Sequence, residues 1–173
     1  MVTVVAVVVV VAGCAAEPRP IEPEASASAS ATLAVPVVPV AAGENTPEGA
    51  EAFLHYYIEV INYASHTGDT GPLQQASTPD CTGCQDYVNH FNEWDARGGS
   101  TTDGDWSISE IEQVPHATDA AWVVTLHLAA GFYIESKGAE RKRFEASDEE
   151  VTFVARFTNG GWQMAQLLAG RQL

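Results

Sequence analysis

Positive charge is the scarcest property of this chain. Eight Lys and Arg stand against 23 Asp and Glu, a formal net charge of -15 over 173 residues. Such a surface repels phosphate backbones and anionic head groups, so nucleic acid is excluded as a partner. Cysteine is nearly absent, with three residues, Cys14, Cys81 and Cys84. One Cys-x-x-Cys without a second matched pair falls short of the four ligands that a closed zinc site needs. No Gly-x-Ser-x-Gly, phosphate-binding loop or paired-glycine dinucleotide fingerprint occurs. A membrane-spanning run is lacking too. Val2 to Ala12 is apolar except for Thr3, but these eleven residues rise only ~16 Å as a helix, and a spanning helix needs about 20 residues.

That length suits the apolar region of an export signal. Its end, Val11-Ala12-Gly13-Cys14, resembles the lipobox of bacterial lipoproteins. The resemblance implies a signal peptide over residues 1–13. It also implies a diacylglyceryl thioether on Cys14 as the mature N-terminus, and a protein held by lipid at the extracytoplasmic face of the cell membrane. An export signal also needs Lys or Arg ahead of the apolar run. None precedes Arg19, so the expected start lies upstream of Met1. The alternative is a buried strand of a cytosolic protein, with Cys14 a core thiol. The next thirty residues are unsuited to burying one.

Residues 14–46 read as a disordered tether. Ala, Ser, Pro, Glu and Val dominate it, as in Ser26-Ala27-Ser28-Ala29-Ser30 and Val35-Pro36-Val37-Val38-Pro39-Val40, and it carries no aromatics. Small side chains do not offset the entropy of ordering the chain. Such a tether spans roughly 30 Å as a coil and up to about 100 Å extended.

A folded domain is expected over 47–173. Thr46 is a good N-cap, Pro47 suits the first helical position, and Glu48 and Glu51 favour the positive end of the helix dipole. Phe53, Tyr57, Val60, Ile61 and Ala64 form one stripe, widened by Leu54 and Ile58, up to a stop at Gly68. Pro72 to Ala76 suits a short second helix. A third runs over about 81–97 with Cys84, Tyr87, Val88, Phe91 and Trp94 as its stripe, ending at Gly98-Gly99. The period then changes to two. Strands are expected from Trp106 to Val114, as one long strand over 121–135 with Gly131 at a bulge, from Arg141 to Ser147, from Val151 to Phe157, and from Trp162 to Leu168. Asp148-Glu149-Glu150 reads as a solvated turn and Asn159-Gly160-Gly161 as a hairpin.

Helices followed by an antiparallel sheet make an α+β fold. A long helix, a short helix, a third helix and a curved sheet of four to five strands resemble the NTF2-like (cystatin-like) cone superfamily. The resemblance implies a sheet wrapped round the long helix, with a pocket at its open end. Gly49-Ala50-Glu51-Ala52-Phe53, Tyr56-Tyr57, Asn62-Tyr63-Ala64, Thr67-Gly68-Asp69-Thr70 and Cys81-Thr82-Gly83-Cys84 are similar to an uncharacterised family of actinobacterial lipoproteins, domain-of-unknown-function family 6318. That family implies a location and no mechanism.

Outside the cytoplasm Cys81 and Cys84 are expected to oxidise to a disulfide. One reading is a redox dithiol near a helix N-terminus, where a thiol pKa falls. The other is a small staple on the entry of the third helix. The staple is preferred, because a thioredoxin-type site follows a strand and Thr78-Pro79-Asp80 is a turn. A metal site from Cys81, Cys84, His90 and His66 is disfavoured, since oxidised cysteines do not coordinate metal. NTF2-like enzymes use Asp/His or Tyr/Asp pairs inside the cone. Here Tyr57, His127 and Arg156 are the possible pocket residues. His127 lies opposite Trp122, Val124 and Leu126, and Arg156 opposite Val151, Phe153 and Phe157, which leaves cavity and solvent both open. Trp94, Trp106, Trp122 and Trp162 fit either a pocket lining or a core.

The sequence thus points to a lipid-anchored extracytoplasmic protein with a non-catalytic binding or interaction domain. No cofactor or metal is expected. The partners are the membrane, through the lipid, and an unidentified protein or small molecule. A thiol-disulfide oxidoreductase using Cys81 and Cys84, and a cone enzyme or small-molecule binder, are the alternatives.

Overall fold

The computed structural model describes residues 33–115 and 119–172. The chain divides into two units, residues 1–31 and 32–173, and only the second is described below. The expected signal peptide, Cys14 and the first part of the tether lie outside the described residues.

Order begins before residue 47. Leu33–Val38 has no regular secondary structure, Pro39 is extended, and Val40–Gly43 forms one turn of 3-10 helix with Ala42 buried in it. Leu33, Ala34 and Pro36 lie beside Glu59, Asn62 and Tyr63, so the Pro/Val part of the expected tether forms a strap on the domain. Proline and valine lower the entropy lost on ordering an extended segment, and Trp162 Nε1 donates to Glu44 O across 2.9 Å. Several of its valines stay exposed, Val37 and Val40 most of all.

Helix α1, Pro47–Thr67, is capped as its sequence requires. Thr46 Oγ1 accepts from Gly49 N at 3.0 Å, and Gly68 closes the helix in the left-handed region. The whole apolar stripe is buried, joined by Tyr56. Helix α2, Gly71–Gln75, and helix α3, Thr82–Ala96, follow. Only Cys84 and Val88 of the α3 stripe are fully buried; Tyr87, Phe91 and Trp94 stay partly open.

The strands are β1 Ser100–Asp103, β2 Trp106–Gln113, β3 Ala120–Leu128, β4 Gly131–Ile134, β5 Lys142–Phe144, β6 Ser147–Thr158 and β7 Gly161–Ala169. They form one antiparallel sheet of order β2-β3-β6-β7 and another of order β1-β4-β5. The two share chain paths. β1 runs into β2, β3 into β4 and β5 into β6, each through two residues. The result is three chain paths creased along one line beside the single strand β7, which is how the expected curved sheet is made.

Three expectations are corrected here. Residues 121–135 are two strands, broken at Ala129-Ala130, and Gly131 opens the second. β1 went unread because Ser-Thr-Thr-Asp has no apolar alternation. Asp148-Glu149-Glu150 is strand and not turn. Its partners His127, Leu126 and Thr125 on β3 hold it by backbone pairing, although this end of β6 is exposed on both faces.

α1 packs on the inner face of the larger sheet. Tyr57 meets Phe153 edge-on at 6.4 Å, among Trp122, Val124, Leu126, Val151 and Met164. The outer face is crossed by the C-terminal residues. Thr152 Oγ1 donates to Gly170 O at 2.7 Å and accepts from Gln172 N at 3.1 Å, while Arg171 reaches Glu112 at 2.8 Å. Among the described residues no helix is long and apolar enough to cross a membrane.

Candidate functional site

Small residues let the sheet crease. Asp103 and Gly104 both have positive φ, 58° and 78°, and turn the first path between β1 and β2. A Cβ on Gly104 would stand 2.3 Å from the ring of Phe144, and one on Gly131 2.6 Å. The two glycines therefore make room for a ring supplied by the third path. Phe144 meets Tyr133 at 6.3 Å, Tyr133 meets Trp94 at 6.0 Å, and Trp94 meets His90 at 5.8 Å. Aromatics from α3, β4 and β5 thus form one continuous series.

Beneath the series lies a cavity of about 390 Å³. α3 contributes His90, Phe91 and Trp94, α1 contributes Ser65, and the creased strands contribute Thr101, Trp106, Leu128, Tyr133, Phe144, Glu145 and Ser147. Its size falls within the range of small-molecule sites, roughly 300–1,000 Å³, and so does its mainly apolar lining.

Trp106 is held from behind. Asn62 on α1 donates Nδ2–H to Trp106 O and accepts from Trp106 N through Oδ1, each at 2.8 Å. The side-chain amide thereby acts as a neighbouring strand for the first residue of β2. The Trp94 indole N–H is buried without a hydrogen-bond partner. It lies against Gly99, where a Cβ would come within 2.6 Å of Nε1.

The lining carries three ionisable side chains, His90, Tyr133 and Glu145, and Glu145 is engaged by Arg143 at 3.2 Å. Among the described residues, two histidine–carboxylate pairs lie outside this cavity. His66 Nε2 is 2.6 Å from Asp105, and its Nδ1 faces Thr101 O at 3.3 Å. Pairing of His127 with Asp148 is at 2.7 Å, on the exposed outer face of the sheet.

None of the three expected pocket residues lines the aromatic cavity. Tyr57 is wholly buried, shares a 2.9 Å hydrogen bond with Ser77, and has its phenol pushed far above the usual range by burial. His127 and Arg156 both lie on the outer face. Arg156 forks onto Asp119 at 2.9 and 3.1 Å, and that carboxylate raises its pKa. Strand parity accounts for this. The inner positions of β3 and β6 belong to Trp122, Val124, Phe153 and Ala155, so their neighbours point out.

Cys81 and Cys84 are joined in a disulfide with both residues buried. The bond takes both thiols from the Cys81, Cys84, His90 and His66 combination. Cys81 is also the N-cap of α3, its sulfur accepting from Cys84 N at 3.2 Å. Gly83 lets this turn touch β7, since a Cβ there would fall 2.1 Å from Leu167 O.

The aromatics that converge here stand at element ends: Trp94 near the end of α3, Trp106 at the start of β2 and Phe144 at the end of β5. That clustering at ends, with Gly104 and Gly131, is the signal by which sequence reading could have found the crease.

A family model described as a family of unknown function, DUF6318, matches residues 18–167. The chain belongs to this family. No curated protein matches the sequence. Among solved structures, the intermembrane space region of the chloroplast protein ARC6 is similar, at 12% identity and a TM-score of 0.51, over 73% of this chain and 99% of that one. An uncharacterised protein with a cystatin-like fold from Caulobacter vibrioides matches at 16% identity and 0.44, over 72% and 91%. An NTF2-like protein of unknown function from Prochlorococcus matches at 15% and 0.40, over 67% and 91%. At these identities the likeness is one of fold alone. The fold is α+β, with NTF2-like and cystatin-like structures among its neighbours.

Proposed function

We propose that this member of the family is a lipid-anchored extracytoplasmic binding module, and that its ligand occupies the aromatic cavity at the crease. The observation that carries the reading is the cavity itself, about 390 Å³ and walled by Phe91, Trp94, Trp106, Tyr133 and Phe144. Rings from four elements supply apolar contact area at low entropic cost. The polar groups around them, Ser65, Thr101 and Ser147, can orient a ligand. A catalytic role has less support, because the histidine–carboxylate pairs among the described residues lie outside the cavity lining.

The oxidoreductase alternative requires a sulfur that a partner can reach. Cys81 is 1% exposed and Cys84 0%, which favours a staple. Anchoring through Cys14 rests on the lipobox resemblance.

Two experiments test this. Labelling cells with a fatty-acid analogue should mark the protein, and Cys14→Ser should release it from membranes; a label that persists in the variant sinks the anchoring. An apolar fluorescent dye should bind the full chain saturably, with energy transfer from tryptophan. Ser65→Phe, which fills the cavity from α1, should abolish that binding; a folded Ser65→Phe protein that binds the dye unchanged places the site elsewhere.

A further inference from the structure

We infer that the cavity takes an organic cation, a protonated or quaternary ammonium group carried on a small apolar body. The inference rests on the cavity being the ligand site and adds the chemical class. Three observations converge on it. First, five aromatic rings line the cavity, and two of them, Trp94 and Trp106, are of the type that attracts cations most strongly.

Second, no Lys or Arg lines the cavity, whereas Glu145 does. Of the cations nearby, Arg143 is engaged by Glu145 at 3.2 Å and Lys142 by Glu135 at 2.9 Å. An anionic ligand would find no Lys or Arg in the lining, inside a protein whose net charge of -15 already repels it. A divalent metal would find one carboxylate among rings, too few hard oxygen ligands.

Third, the chain places its own cations on these same rings. Arg97 stands 5.9 Å from the centroid of Trp94, and Lys142 Nζ stands 5.9 Å from that of Tyr133. The rings are therefore already disposed to receive positive charge. Between a neutral ligand and a cation of equal shape, the apolar contact is the same. The aromatic rings and the Glu145 carboxylate in the lining then favour the cation.

The test compares choline with its neutral isostere 3,3-dimethylbutanol on the full chain, by isothermal titration. Choline should bind about tenfold tighter, by the strength of a partly desolvated cation–π contact. Trp106→Phe, which keeps an aromatic wall but weakens its quadrupole, should lower choline affinity by several-fold and leave the isostere nearly unchanged. Glu145→Gln should lower choline affinity about two- to fivefold, a modest effect because this carboxylate is exposed and shared with Arg143. Equal binding of choline and isostere overturns the inference and leaves the cavity as a site for neutral ligands. Failure of choline to bind into the millimolar range, while the apolar dye still binds and Ser65→Phe still abolishes it, also overturns the cation class alone. Loss of both dye and choline binding removes the cavity reading itself.

Discussion

Trp162 donates its indole N–H to the carbonyl of Glu44 across 2.9 Å, tying the strap before α1 to the last hairpin. The two residues stand 118 positions apart, so the bond closes the chain over the inner sheet. It exists because Asn159 and Gly160, both at positive φ, make the tight turn that turns β7 back and brings Trp162 beside Phe157 at 5.2 Å.

Trp162→Phe keeps the ring and deletes the donor. The expected cost is about 1 kcal/mol. Limited proteolysis should then cut sooner between Leu33 and Glu44, with the rest of the domain intact. An unchanged cleavage rate would mean that the strap is held by packing alone.

The same segment shows what sequence could and could not disclose. α1 was legible because its cap, its stripe and its stop are all local. The final hairpin was legible because Asn-Gly fixes a turn. The strap was not, because Val35 to Val40 has no periodicity and is held by Trp162, a residue distant in sequence. The crease was missed for a related reason. Gly131 looked like a bulge, and its need for a glycine comes from Phe144, on another path. The inward set of β3 and β6 was readable by alternation, yet which side of the sheet carries a cavity depends on where α3 lies. That is why His127 and Arg156 stayed open as candidates.

Replacing both cysteines, Cys81→Ala with Cys84→Ala, should cost about 2 kcal/mol for so short a loop. In the native protein the bond should resist a thiol reductant and become reducible in denaturant, since both sulfurs are buried. Rapid reduction without denaturant would return the oxidoreductase reading to contention. Gly83→Ala should also destabilise, by about 1–3 kcal/mol, because its Cβ would press on the Leu167 carbonyl.

Asn62→Leu preserves the approximate volume of the side chain and removes both hydrogen bonds to Trp106. The loss should be about 1–3 kcal/mol, since the backbone N–H and C=O of Trp106 are left unpaired. Dye affinity should fall with it, because the wall that Trp106 supplies is no longer fixed. Full affinity in a folded Asn62→Leu protein would show that Trp106 needs no such support.

Alkaline stability carries a signature of the core. Burial raises the phenol pKa of Tyr57, and likewise that of Tyr87, where Glu149 adds to it. The unfolded chain ionises these phenols near pH 10, while the folded one resists. Stability should therefore be unaffected by these groups below about pH 10 and should fall as pH rises through and beyond it. A phenolate absorbance titration should show Tyr57 ionising only as the protein unfolds. Ionisation of all five tyrosines in a still-folded protein would contradict its burial.

The most direct measurement concerns the cavity. The four tryptophans report separately in a proton–nitrogen spectrum: Trp94 and Trp106 line the cavity, Trp122 is in the core, and Trp162 is tied to the strap. Titrating the full chain with choline should move the indole signals of Trp94 and Trp106 saturably and leave that of Trp122 in place. A titration that moves neither, or that moves Trp122 and Trp162 instead, would contradict the account.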